Sequence, residues 1–265
     1  MSEDVEGAPH SPEERRDRVM QIVLERGTIS AREIADLFGV SVMTAHRDLD
    51  ALARTGVVRR FHGGVSAQPG GSFGANITFR EGSRLPEKAE IAKVAATFVE
   101  PGMSVLIEDS TTAFAVAEAL VGIDPLTVIT NFPRVVQVFA DRDEVQVLVL
   151  GGTYDRSHDA YLGLACIDAL ESVHADVHFS STSGITPRRA YQPDPNIVLV
   201  MRAMVAAAER SVLVLDHTKI GRTAVHSVGP LTMFDDVVTD SGADPDDIRA
   251  LREHHGGVHV AGEKR

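Results

Sequence analysis

The chain has 265 residues, a formal net charge of −12 and one cysteine, Cys166. A single cysteine excludes an internal disulfide framework and any cysteine-built metal cluster within one chain, and the length suits one small domain and one of ordinary size. No apolar run is as long as a membrane span, and the first residues, MSEDVEGAPHSPEE, are acidic with no signal-peptide core, so no membrane partner and a cytoplasmic location are expected.

Charge is unevenly spread. Residues 1–11 carry three carboxylates and read as a disordered tail. Residues 12–66 hold nine arginines, no lysine and eight acidic residues, a balance of about +1, which leaves about −10 for everything after Ser66. A polyanionic partner must therefore be met by arginines placed locally, with the acidic body held away from it.

Residues 28–65, TISAREIADLFGVSVMTAHRDLDALARTGVVRRFHGGV, read as two short helices, a tight turn and a small β-wing. Ser30 stands at an N-cap position with Glu33 three residues on, the spacing of a capping box. Ile34, Ala35 and Leu37 supply the first helix with an apolar face. Gly39 stops that helix where a positive φ is needed, and Val40 turns inward. Ser41 caps a second helix that runs to about Arg54 and ends at Gly56; VVRRFHGGV follows as two strands. On this second helix Val42, Ala45, Leu49 and Leu52 form the apolar stripe, and Met43, Thr44, Arg47, Ala51 and Arg54 lie opposite. Thr44 and Arg47 sit where a recognition helix meets base edges, and an arginine fork suits guanine O6 and N7. Arg59, Arg60 and His62 in the wing read as contacts to phosphate or the minor groove. His46 borders the apolar stripe, and its role stays open between base reading, backbone contact and packing.

Residues 67–87, rich in Gly, Ser and Pro, read as a linker. A helix is expected from Lys88, with Ile91, Val94, Ala95 and Phe98 at helical spacing. Short apolar strands then alternate with helical stretches: MSVLIE, LTVITN, VQVLVLGG, ADVHFSS, RSVLVLD and DDVVTD. Their unbroken apolar character fits strands covered on both faces, hence an α/β domain with a mostly parallel sheet over residues 88–261, and a short tail at 262–265. Ligands of such sheets settle at the carboxyl ends of the strands. There the sequence places Glu108, Asp109, Ser110, Thr111 and Thr112, then Asn131, Gly151 with Gly152, Gly184, and Lys219. Hydroxyls and free N–H groups at a helix start favour an anion; helix capping explains any one of these sites alone.

Two long stretches carry a family resemblance. RDRVMQIVLERGTISAREIADLFGVSVMTAHRDLDALARTGVVRRFHGGV resembles the winged helix-turn-helix of DeoR/GlpR-type bacterial transcription regulators, with Val40, Ser41, Thr44, Arg47, Asp48, Leu49, Leu52, Gly56, Arg60, His62, Gly63 and Gly64 on pattern. Ala45 and His46 depart from the usual Ile and Arg, which touches operator choice. The later segments IAKVAATFVEPG, EDSTTAFAVAEAL, TVITN, VLVLGGTY, SGI, MRAM and LDHTKIGR resemble the effector domain of that family, similar in fold to ribose-phosphate isomerase and the CoA-transferases. The resemblance implies a sensor for a sugar phosphate or related anion. Ser110, Thr111 and Thr112 would cradle the phosphate, with Asn131, Gly151, Gly152 and Lys219 nearby and Asp109 or Glu108 accepting a ligand hydroxyl. It also implies a lysine at Met201, a carboxylate at Ile197 and a glycine at Ser110; those three departures bear on the effector's identity.

The expected function is a sequence-specific transcription regulator, a repressor by family habit, acting as a dimer or tetramer on a double-stranded operator. No cofactor, metal or catalytic residue is expected. His174 and His178 are spaced i, i+4, but Asp176 to Ser181 reads as a strand, and His254–His255 lies in a polar turn. An isomerase- or transferase-like enzyme with an accessory DNA-binding domain is the rival reading, since fold alone does not decide activity. An architectural DNA-binding protein is a third.

Overall fold

The computed structural model describes residues 11–26, 28–54, 58–67 and 77–263, in two units that divide between Phe79 and Arg80. The tail expected at residues 1–11 and the helix stop at Gly56 fall wholly or almost wholly outside the described residues, as do the last two residues.

The first unit runs α1 (Pro12–Arg26), β1 (Thr28–Ser30), α2 (Ala31–Phe38), α3 (Val42–Arg54), β2 (Val58–Phe61) and β3 (Gly64–Ala67). The capping box forms: Glu33 N donates to Ser30 Oγ at 3.2 Å, and Ser30 N donates to the Glu33 carboxylate at 2.7 Å. Gly39 closes α2 with φ of 62°, left-handed backbone that glycine adopts without penalty. Strand β3 pairs antiparallel with both β1 and β2, and Gly64 is required there, because a Cβ would lie 2.4 Å from Ile29 O.

The core takes Ala31, Ile34, Ala35 and Phe38 from α2, Ala45, Leu49 and Leu52 from α3, and Val19 and Val23 from α1. Two expected core residues are exposed instead. Leu37 is 55% exposed because the buried stripe of α2 follows positions 31, 34, 35 and 38, and Leu37 stands about 100° away from Phe38. Val42 is 44% exposed: it is the first residue of α3, and a helical Cβ leans toward the N-terminus, beyond the packed part of the helix.

Helix α4 (Ile77–Gly82) lies across the division, and α5 (Leu85–Ala96) follows. The expected linker over 67–87 is thus partly regular structure. Ile77, the first residue of α4, is only 4% exposed, and Pro86 in the first turn of α5 starts that helix three residues before Lys88. The rest is β4 (Ser104–Ile107), α6 (Thr111–Ala119), β5 (Leu126–Thr130), α7 (Pro133–Phe139), β6 (Val145–Val149), β7 (Thr153–Asp155), β8 (Ala160–Leu162), α8 (Leu164–Leu170), β9 (Ala175–Ser180), β10 (Gly184–Thr186), β11 (Arg189–Gln192), α9 (Pro195–Ala206), β12 (Ala208–Val214), β13 (His226–Pro230), β14 (Asp236–Thr239), α10 (Pro245–Arg252) and β15 (Val258–Val260).

Seven strands form a wholly parallel sheet in the order β15-β14-β12-β9-β4-β5-β6. Six are the expected strands; β15, only three residues long, is the seventh. The chain builds outward from β4 through β5 to β6, then returns to β9 and builds the other way through β12, β14 and β15. Strand order therefore reverses between β4 and β9, and a crevice opens beyond the carboxyl ends of such a pair. A hairpin of β7 and β8 and an antiparallel sheet β10-β11-β13 are additions to this frame. Among the described residues no helix is long and apolar enough to cross a membrane.

Candidate nucleic-acid interface and strand-end site

On α3 the face expected to read bases is exposed at Met43 and Arg47 and half-buried at Thr44. Ser41 caps the helix: Thr44 N donates to Ser41 Oγ at 3.1 Å, and the two hydroxyls lie 2.9 Å apart. Met43 and Arg47 are exposed, as are Arg59 and His62 in the wing. Arg60 is tied back to α3, with Nη2 3.1 Å from His46 Nδ1 and Nε 3.1 Å from Asp50 Oδ1. His46, at the edge of the apolar stripe, therefore braces the wing against the helix. Asp48 is buried against Arg15 of α1, with Arg15 Nε donating to its carboxylate at 2.7 Å, which locks the first and third helices together.

The second cluster lies at the point where strand order reverses. Glu108 and Asp109 follow β4, and both are buried. Ser180, the last residue of β9, donates to the Glu108 carboxylate across the switch point. Asn131, at the end of β5, donates from Nδ2 to Asp109 Oδ1 at 2.7 Å and accepts from Asp109 N at 3.0 Å, a reciprocal clamp. Lys219, in the short turn after β12, donates to Ser181 Oγ at 3.1 Å and lies 4.0 Å from Asp216 Oδ2. The sheet thus brings together Glu108, Asp109, Ser110, Thr111, Thr112, Asn131 and Lys219.

The glycines have other duties. A Cβ on Gly152 would lie 2.5 Å from Leu162 O, and one on Gly184 would lie 2.5 Å from Arg222 O, so both permit backbone packing; Gly151 is exposed. Ser110 adopts extended backbone and caps α6, accepting from Thr112 N at 3.1 Å and Ala113 N at 3.2 Å. Its hydroxyl thereby occupies two of the N–H groups that a glycine would have left for a phosphate. Ile197 and Met201 of α9 are buried in the apolar core, and Arg202 donates to Val228 O at 2.6 Å and Ser227 O at 2.9 Å, so it does not supply the missing lysine's charge.

Burial sets the electrostatics of this site. Desolvation, reinforced by the neighbouring Asp109, pushes Glu108 well above the ordinary carboxylate range, and desolvation raises Asp109 to about 6 against the stabilising bond from Asn131. Desolvation lowers Lys219, partly offset by Asp216. Two further cations belong here that the sequence reading passed over. Lys88, buried on α5, is lowered to about 8 by desolvation and by the charge of Lys219. Arg80, on α4, feels both Asp109 and Glu108. The sequence signal for Arg80 was faint: a lone arginine within ITFREG, in a stretch dominated by linker composition. Beside the cluster a cavity of about 450 Å³ is lined by Leu85, Lys88, Thr111 and Phe114 among others. Among the described residues no group of histidine, cysteine and carboxylate side chains is placed to hold a metal.

A winged helix-turn-helix followed by a parallel α/β unit, with a desolvated polar crevice at its switch point, defines a DNA-binding regulator carrying its own sensor. Residues 15–68 match the DeoR-like helix-turn-helix domain, and residues 83–241 match the DeoR C terminal sensor domain. The chain belongs to the DeoR family of transcription regulators. It is 33% identical over 240 residues to the uncharacterized HTH-type transcriptional regulator YgbI of Escherichia coli, covering 91% of this chain and 94% of the relative. It is 29% identical over 243 residues to the glycerol-3-phosphate regulon repressor of the same organism, covering 91% and 96%. Among solved structures, ribose 5 phosphate isomerase A from Neisseria gonorrhoeae aligns over 52% of this chain and 54% of its own, with 16% identity and a TM-score of 0.38. The chain is a regulator and not an enzyme, as both matched domains define.

Proposed function

We propose that this protein is a cytoplasmic homo-oligomeric repressor. It holds a double-stranded operator through α3 and the β2–β3 wing, and it releases that operator when a small phosphorylated polyol, or an anion of like chemistry, enters the crevice beyond β4 and β9. Thr44 and Arg47 face base edges, Arg59 and His62 face phosphate, and Ser41, His46 and Arg60 hold the reading surface in shape. Glu108, Asp109, Thr111, Thr112, Asn131 and Lys219 line the effector site, with Ser110 shaping it through the cap and Gly151, Gly152 and Gly184 through the backbone. The glycerol-3-phosphate regulon repressor among its relatives supports the effector class.

One observation carries the sensor reading: the crevice keeps carboxylates and cations together out of water at the switch point, an arrangement that costs stability and is repaid by a ligand that pairs with them. The effector acts by binding the two arrangements of the regulator unequally. The test is selection of bound duplexes from a random pool by the full chain, followed by competition with sugar phosphates. An enriched palindromic site that a phosphorylated polyol dissociates is expected. Binding without sequence preference would remove the operator reading, and a preferred site that no phosphorylated polyol releases would remove the effector reading.

A further inference from the structure

We infer that Arg134 couples the effector crevice to the helix that joins the two units, gripping the tip of the β7–β8 hairpin with one arm and Glu81 of α4 with the other. This rests on the effector reading above and names the parts through which the crevice regulates the rest of the chain.

The hairpin is tied into the crevice at its root. Asn131, which clamps Asp109, also donates from Nδ2 to Tyr161 O at 3.1 Å, and its own carbonyl accepts from Tyr161 N at 2.9 Å. At the tip, the Asp155 carboxylate accepts from Ser157 N at 2.8 Å, Ser157 Oγ at 2.6 Å and His158 N at 3.0 Å, and lies 3.1 Å from His158 Nδ1. One carboxylate holding so many groups of its own turn makes residues 155–158 a stiff unit. His158 is 7% exposed and stands close enough to Asp109 to act on its carboxyl, so the imidazole belongs to the crevice wall.

The next residue turns to a different partner. Asp159 has φ of 54°, left-handed backbone that aspartate tolerates better than most residues. Its carboxylate accepts from Arg134 Nε at 2.6 Å and from the Tyr154 hydroxyl at 2.5 Å. Nη1 of the same guanidinium is paired with Glu81 of α4. The side chains of Arg134, Glu81 and Asp159 are 30%, 32% and 20% exposed, so water screens the two ion pairs only in part. Glu81 sits on the helix in which the chain passes from one unit to the other, and it lines the cavity of about 450 Å³ with Leu85 and Phe114, which leaves α4 room to shift. An effector entering at Asp109 meets His158. Because His158 and Asp159 are consecutive in a stiff turn, displacing the imidazole displaces the carboxylate, and Arg134 must release Asp159 or Glu81. The double pairing belongs to the empty arrangement that holds operator, and the effector favours the arrangement in which it is broken.

The experiment uses the full chain with no effector added, so it does not depend on which metabolite binds. Hydrogen exchange is followed over residues 77–82 and 153–162 in a double-mutant cycle. His158→Ala and Asp159→Asn should each speed exchange in α4 about threefold or more, and neither should add to the effect of Arg134→Gln. Arg134→Lys should keep part of the protection, and Arg134→Gln should weaken the selected operator about fivefold or more. Exchange in α4 that ignores the two hairpin variants, or effects that multiply independently in the double variants, would overturn the coupling. Unchanged operator affinity in a folded Arg134→Gln would overturn its regulatory role. If Arg134→Gln does not fold, Glu81→Gln decides: coupling is reciprocal, so faster exchange over residues 153–162 supports the link and an unchanged hairpin refutes it. Release of operator from the wild type by phosphorylated polyols is measured separately, and its failure removes the effector reading without altering the result of the cycle.

Discussion

Arg15 of the DNA-binding unit and Arg80 of the sensor unit are used in opposite ways. In the DNA-binding unit the buried cation Arg15 has its carboxylate, Asp48, at 2.7 Å, while Arg47 and Arg59 stand free in solvent. In the sensor unit Arg80 is partly buried, and its Nε and Nη2 meet no solvent and no acceptor among the described residues. A duplex is a large polyanion approached through its counterion atmosphere, so exposed charge on a rigid frame is sufficient. A small anion must give up most of its water on entry, so its site has to bear the cost of dry, mutually repelling cations beforehand. Surface charge serves the macromolecule, and stored desolvation serves the metabolite.

That contrast can be broken at several points. The largest effect is expected from Asp48→Ala, which leaves Arg15 buried and unpaired and should cost the first unit about 3–5 kcal/mol, read as faster amide exchange in α1 and α3. Unchanged exchange would mean the pair is solvated and the contrast with Arg80 unsound. Next, Arg47→Ala should lose about 1–3 kcal/mol on the preferred duplex and relax base choice, whereas Arg59→Ala should weaken every duplex alike and lower the salt slope by about one. Equal losses on preferred and random DNA for Arg47→Ala would reassign it to the phosphate backbone.

A smaller effect is a pH signature. Desolvation and the charge of Lys219 lower Lys88 to about 8, so phosphate affinity should fall as pH rises through that value and its proton leaves. Binding near pH 8 should take up protons, visible as a buffer-dependent calorimetric heat. Stability of the empty protein moves the other way. Because the unfolded lysine holds its proton more tightly, the Lys88 contribution to stability rises with pH from about 8 to its ordinary value of 10.5. Asp109, raised to about 6, binds its proton more tightly when folded, so its contribution falls as pH climbs from 3.8 to about 6. The smallest change is expected for Thr112→Val: its buried hydroxyl has no partner among the described residues, so the unfolding free energy should shift by less than about 1 kcal/mol. A large loss would show that the hydroxyl holds the fold together.

Much of this arrangement was legible in the chain. The capping box at Ser30 and Glu33, the left-handed Gly39 and the six longer strands are local signals, each decided by a few neighbouring residues. Errors came where geometry depends on what lies across from a residue. Leu37 and Val42 look like core residues on a wheel, but no element of the described residues covers them. Ser110 looks like a ligand hydroxyl and is spent on its own helix. Arg60 reads as a phosphate contact, yet its Nη2 and Nε are turned back onto His46 and Asp50.

By itself, then, the sequence determined the two kinds of domain, the helix-turn-helix with its exposed second helix and the strand ends that hold polar residues, because propensity, capping and hydrophobic period act over a few residues at a time. Only the tertiary structure decided which distant side chains share a dry crevice. Glu108 and Ser180 stand 72 residues apart in the chain and meet because β4 and β9 are neighbours in the sheet. Lys88 reaches that edge on α5, its ammonium donating to the Arg80 carbonyl, and the charge each group carries follows from the water excluded there, which no local pattern of residues records.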